Sequence, residues 1–141
     1  MDTDARLRRL HGWTRMKIDI EPTLEALSEK IIGGAFAVST TLGHGFLEAV
    51  YRNALSIELA MCGLKVQKEK SFLIHYRGEK IGSYIADLVV NECIVVELKV
   101  AEALAAQHTA QVLNYLKVSR LPVGLLLNFG RARLEVKRVL L

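Results

Sequence analysis

Two charged side chains interrupt the most apolar stretch of this chain. The run DLVVNECIVVELKV, from Asp87 to Val100, reads as two short strands joined by a polar turn, and the second strand carries Glu97 and Lys99 among Ile94, Val95, Val96, Leu98 and Val100. An ionised group moved from water into an apolar interior costs several kcal/mol or more unless it is paired, hydrogen-bonded or bound to metal. Side chains alternate faces along a strand, so Glu97 and Lys99 point one way while Val96, Leu98 and Val100 point the other. The face carrying Glu97 and Lys99 is either a weak surface ion pair or a place where chemistry is done.

Whether Asp87 joins that face depends on the turn. A two-residue loop at Asn91 and Glu92 pairs Val90 with Cys93 and leaves Asp87 on the opposite side. A three-residue loop, Asn91 to Cys93, pairs Val90 with Ile94 and sets Asp87 directly against Glu97. The second register is expected, because it lets two carboxylates cooperate. Facing carboxylates repel unless a cation lies between them, and hard divalent ions such as Mg²⁺ take oxygen ligands of this kind. Lys99 beside that cation would orient or help deprotonate a water for attack on phosphorus.

The surrounding pattern predicts an α/β fold with a mixed sheet. Helical spacing of Leu24, Leu27, Ile31, Ile32, Ala35 and Val38 predicts a helix from Glu21, with Pro22 in its first turn. Gly43 and Gly45 end it, and a second helix is expected from about Phe46 to Cys62, stopped by Gly63. Alternating segments then predict a three-stranded meander up to Val100. The Ala-rich segment from Ala101 to Ser119 predicts a crossover helix, LPVGLLLNF a buried strand parallel to its predecessor, and RLEVKRVLL a last strand.

At 141 residues and 51% hydrophobic content, the chain suits one domain, residues 21–141, behind a basic arm. The arm, residues 1–20, clusters Arg6, Arg8, Arg9 and Arg15 without periodicity and is expected to be flexible. Residues 1–20 hold five Lys/Arg against three Asp, residues 21–62 two against five, and residues 63–141 twelve against seven. Basic character thus gathers in the arm and the strand-rich part, which suits a polyanion such as nucleic acid. No apolar run of about 20 residues suggests a membrane span or secretory signal, so a cytoplasmic setting is expected. Cys62 and Cys93 lack zinc-site spacing and read as reduced thiols.

Asp87 followed by Glu97-Leu98-Lys99 resembles the PD-(D/E)XK nuclease superfamily, and Gly45-Phe46-Leu47-Glu48-Ala49-Val50-Tyr51 resembles the signature of its bacterial GxxExxY branch. The resemblance runs from about Ile18 to Leu141. It implies a restriction-endonuclease-like core and a metal-dependent nuclease acting on DNA, with Mg²⁺ or Mn²⁺ as cofactor. An inactive relative that only binds nucleic acid is the alternative. Position by position it implies Asp87, Glu97 and Glu48 as metal ligands and Lys99 as the catalytic lysine. Ala86 stands where many members have proline. Gly45, Glu48, Tyr51 and Arg52 share a helical stripe, which makes Tyr51 and Arg52 candidate nucleic-acid contacts, though Glu48 and Arg52 also suit a surface ion pair. Gln111 and Tyr115 resemble a QxxxY element that holds DNA, and neutral donors of that kind can grip phosphate without competing for metal. His108 shares their stripe but is not expected to bind metal. A homo-oligomer through the last strand is a further expectation.

Overall fold

The computed structural model describes the backbone from Leu10 to Leu141 and side chains from Thr23 onward. Helix α1 (Leu10–Leu42) buries Leu27, Ile31, Ala35 and Val38, and α2 (Glu48–Met61) buries Tyr51, Leu55 and Leu59 at the same helical spacing. The meander follows as β1 (Val66–Tyr76), β2 (Glu79–Val90) and β3 (Ile94–Lys99). Helix α3 (Ala106–Ser119) then crosses to β4 (Val123–Asn128), parallel to β3, and β5 (Glu135–Leu140) runs antiparallel to β4. The sheet order is β1-β2-β3-β4-β5, so the element order expected from the sequence holds.

The central strands are covered on both faces. Ile94, Val96 and Leu98 pack with Leu125 and Leu127 against α1 and α2, whereas Val95 and Leu126 pack with Val112 and Leu116 of α3. Alternation along β3 therefore fills two cores, which is why the strand reads as nearly continuous apolar sequence. Gly124 lets α3 sit close to β4, since a Cβ there would meet Val112 Cγ1 at 2.4 Å. Among the described residues no helix is long and apolar enough to cross a membrane.

Two helices begin elsewhere than expected. Helix α1 starts at Leu10, so the later part of the presumed arm has helical backbone; residues 1–9, with Arg6, Arg8 and Arg9, lie outside the described residues. Pro22 lies within α1 rather than at its head, where it withholds one backbone donor but does not stop the helix. Helix α3 starts at Ala106 instead of Ala101, and the cause is competition for backbone groups. The Ala101 N–H donates to Asn128 Oδ1 at 2.9 Å, its carbonyl accepts from Asn128 Nδ2 at 2.9 Å, and the Leu104 N–H donates to Glu135 Oε1 at 3.3 Å. A segment so held satisfies its polar groups without helical bonds, and this outweighs the alanines' propensity.

Asn128 is fully buried, and its amide also accepts from the Gly130 N–H and donates to Glu135. Gly130 lies so close to the Ala101 backbone that a Cβ would stand 2.4 Å from its nitrogen. Asn128→Ala is expected to cost about 2–4 kcal/mol, because it orphans several buried groups at once. Urea denaturation should show this as a lower midpoint with an unchanged slope.

Candidate metal centre and active site

The site lies where two strands separate. The β2–β3 ladder pairs Val90 with Ile94, Val89 with Val95 and Leu88 with Val96, and then stops. Asn91 and Glu92 both have positive φ, of 51° and 55°, and the Cys93 N–H donates to the Val90 carbonyl at 3.0 Å. The three-residue loop anticipated from the sequence is thus the one formed, and Asp87 and Glu97 stand one step beyond the last pair. There the side chains replace the missing ladder bonds. The Leu98 N–H donates to Asp87 Oδ2 at 2.8 Å, and the Asp87 N–H donates to Glu97 Oε1 at 3.3 Å.

A kink in β1 and β2 makes room for this exchange. Lys68 pairs with Leu88 and Lys70 with Ala86, but Glu69, with φ 52°, and Asp87 between them form no pair. Leu88 and Val90 pack toward α1 and α2, whereas Ala86, two residues earlier, packs toward α3. The strand has turned over at Asp87, whose carboxylate lies along the sheet toward β3. No hydropathy pattern carries this rotation, because residues on either side of it remain apolar.

Helix α2 brings the third acid. Ligand oxygens of Glu48, Asp87 and Glu97 all lie within 4.8 Å of one another. Oxygens around one hard divalent ion stand about 3–5 Å apart, so this donor set fits such an ion. Burial first, and then the neighbouring Asp87 charge, push the Glu97 carboxyl from the usual 4.5 up to about 8, with Lys99 opposing the shift. The same two causes raise Glu48. Each strand acid has a cation: Lys99 Nζ is 3.7 Å from Glu97 Oε2, and Arg52 Nη1 is 3.3 Å from Asp87 Oδ1.

Arg52, expected as a nucleic-acid contact or as a partner of Glu48, is placed differently. It bridges the two kinked residues, with Nη2 3.5 Å from Glu69 Oε2, while its buried Nε has no hydrogen-bond partner. Tyr51, expected to touch nucleic acid, is fully buried. Its hydroxyl donates to the Gly43 carbonyl at 2.6 Å and accepts from the Phe46 N–H at 3.2 Å, which fixes the loop leading into Glu48. Its ring stacks on Phe129 at 4.8 Å, and the Phe129 N–H donates to the Lys99 carbonyl. Tyr51 is therefore a positioning residue, and being pinned on both sides it cannot present its ring to a ligand.

Tyr115 is also buried. Its hydroxyl donates to the Ile85 carbonyl at 2.8 Å and accepts from Gln111 Nε2 at 3.2 Å, while burial and the nearby Glu97 push its pKa up to about 12. Gln111 is half-buried and borders this group. His108 Nδ1 accepts the Ala105 N–H at 3.0 Å at the head of α3, which leaves it occupied in capping. Asn128 and Phe129 escaped the sequence reading. The signal was present, since a polar residue closing the apolar run Val123–Leu127 raises the same question as Glu97 does.

A model of the PD-(D/E)XK nuclease superfamily matches residues 25–139. The chain belongs to this superfamily. The five-stranded mixed sheet and three helices of the described residues are the superfamily's restriction-endonuclease-like fold. Among solved structures, SSO0001 is similar with a TM-score of 0.53 at 21% identity, which at that identity is a likeness of fold. The match covers 89% of this chain and 61% of that one. No curated protein matches the chain. Glu48, Asp87, Glu97 and Lys99 all fall within the matched span of the PD-(D/E)XK model.

Two outcomes follow for the metal-free PD-(D/E)XK centre. The folded chain holds a proton on Glu97 that the unfolded chain releases near 4.5, so stability falls as pH rises from there toward about 8. Calorimetric midpoints should show that decline, and Glu97→Gln should remove its component. Arg52→Met should cost about 1–3 kcal/mol without metal, because it leaves the acids less neutralised. A saturating divalent cation should narrow that gap in the same melts.

Proposed function

We propose that the protein is a nuclease that hydrolyses phosphodiester bonds of DNA with Mg²⁺ or Mn²⁺ as cofactor. The supporting observation is the convergence of Glu48, Asp87 and Glu97 beside Lys99 at the strand fork. Those three acids are the residues that would hold the ion. When bound, the ion supplies positive charge to phosphoryl oxygens as negative charge develops on them.

The chain's own residues do the rest. Lys99 orients the attacking water and offsets charge as its oxygen approaches phosphorus. Glu97 holds the Lys99 ammonium nearby, and the Phe129 N–H fixes the backbone from which Lys99 extends. Gln111 gives one amide N–H to the Tyr115 hydroxyl and keeps a second with which to meet phosphate from the half-buried rim. Arg52 keeps Asp87 in its place between β2 and β3.

A second reading is a nuclease-fold protein that binds nucleic acid without turnover. It is favoured by one fact: Asp87 and Glu97 already serve the fold by completing the strand ends.

Purified protein should cleave a single-stranded, double-stranded or branched DNA in Mg²⁺ or Mn²⁺. Lys99→Ala and Glu97→Gln should each lower the rate at least about 100-fold while circular dichroism stays native. Cleavage that survives both substitutions belongs to a contaminant. DNA binding without cleavage, together with no metal uptake by calorimetry, establishes the second reading instead.

A further inference from the structure

Strands β1 and β2 continue together well past the point where β3 leaves them. Their pairing reaches Tyr76 and Glu79, whereas β2 last pairs with β3 at Leu88. The segment from Lys70 to Ala86 is thus a two-stranded ribbon that extends beyond the acids. A ribbon of this kind is not stable alone and needs a packed face. Phe72 and Tyr84 supply it, packing with the α3 core, and Tyr84 meets Tyr115 edge to face at 5.4 Å.

The other face is bare. Ser71 pairs with Ile85 and Leu73 with Ser83, and Ile81 adds the extra residue where the register shifts. Leu73, Ile81 and Ile85 are 52%, 64% and 56% exposed. A row of exposed aliphatic side chains on a projecting ribbon calls for a partner. The partner's chemistry is read from what borders the row. Arg77 and Lys80 lie at the turn end of the ribbon beside Glu79, while Lys70, paired with Ala86, stands on the α3 side, and exposed Tyr76 carries the Arg77 guanidinium over its ring at 5.4 Å. Ile85, at one end of the row, is two residues before Asp87 in the same strand.

We propose that this ribbon face is the substrate arm and that it takes a nucleic-acid strand with unpaired bases. The inference rests on the nucleic-acid reading of the acid centre and names its substrate class. Unpaired bases offer flat apolar faces that settle on Leu73, Ile81 and Ile85, with Ser71 and Ser83 as small hydrogen-bonding groups between them. The phosphates then turn toward Arg77 and Lys80 at the turn end of the ribbon. In a duplex the base faces are already stacked on one another, so the aliphatic row gains nothing from them, and aliphatic side chains offer its phosphate backbone little. A strand lying along the ribbon passes from Ile85 to Asp87 and so delivers its backbone to the acids.

The test is fluorescence anisotropy with a labelled single-stranded oligonucleotide and with a blunt duplex of the same sequence, using Glu97→Gln protein to prevent cleavage. The single strand should bind at least about ten-fold tighter. Leu73→Asp and Ile81→Asp, both at exposed positions, should each weaken single-strand binding about ten-fold and leave duplex binding, the melting midpoint and Mn²⁺ uptake unchanged. Equal or tighter duplex binding overturns the proposal, as does single-strand binding that is undetectable or indifferent to both substitutions. Ribbon-dependent strand binding without cleavage by the unmutated chain leaves the arm standing and removes the nuclease reading. Cleavage that ignores the ribbon does the reverse.

Discussion

Asp87 and Glu97 take over hydrogen bonds that β2 and β3 cease to give each other, and the rest of the structure is arranged around that exchange. Parting strands normally leave N–H groups facing nothing, which is costly wherever water is excluded. Here two carboxylates accept those N–H groups and are thereby fixed next to each other. Their mutual repulsion has to be offset by nearby cations. Lys99 and Arg52 supply it, each pairing with one strand acid, and Glu48 enters from α2 as a third acid beside them. The strand fork is both a structural solution and a cluster of acids held closer than their charges favour.

Much of this was legible in the sequence, for one reason. A charged residue in an apolar strand has few physically allowed explanations, and the Asn91 turn left only two registers to choose between. The order of elements was legible too, since helical spacing gives way to alternation at Gly63 and returns after Val100. The match to the superfamily over residues 25–139 agrees with that order.

What was not legible depends on contacts between distant parts of the chain. The alanines after Val100 favour helix, and only the Asn128 amide, 27 residues away, shows why Ala101 does not join one. Tyr51 sits one turn from Glu48 on the same helix, and its spacing alone suits a ligand contact as well as a core position. The ring of Phe129 decides between them. The turn-over of β2 at Asp87 leaves no mark on hydropathy at all, yet it is what aims the carboxylate along the sheet and brings Arg52 onto it.

The Asn128 clamp bears on when the centre comes into being. Glu48, Asp87, Glu97 and Lys99 all precede β4 in the chain, but the groups that hold the end of β3, Asn128, Phe129 and Gly130, follow them. A growing polypeptide therefore contains every charged member of the cluster before it contains the residues that set their spacing. The constellation is a property of the finished fold, and a half-made chain next to nucleic acid carries the parts without the assembly.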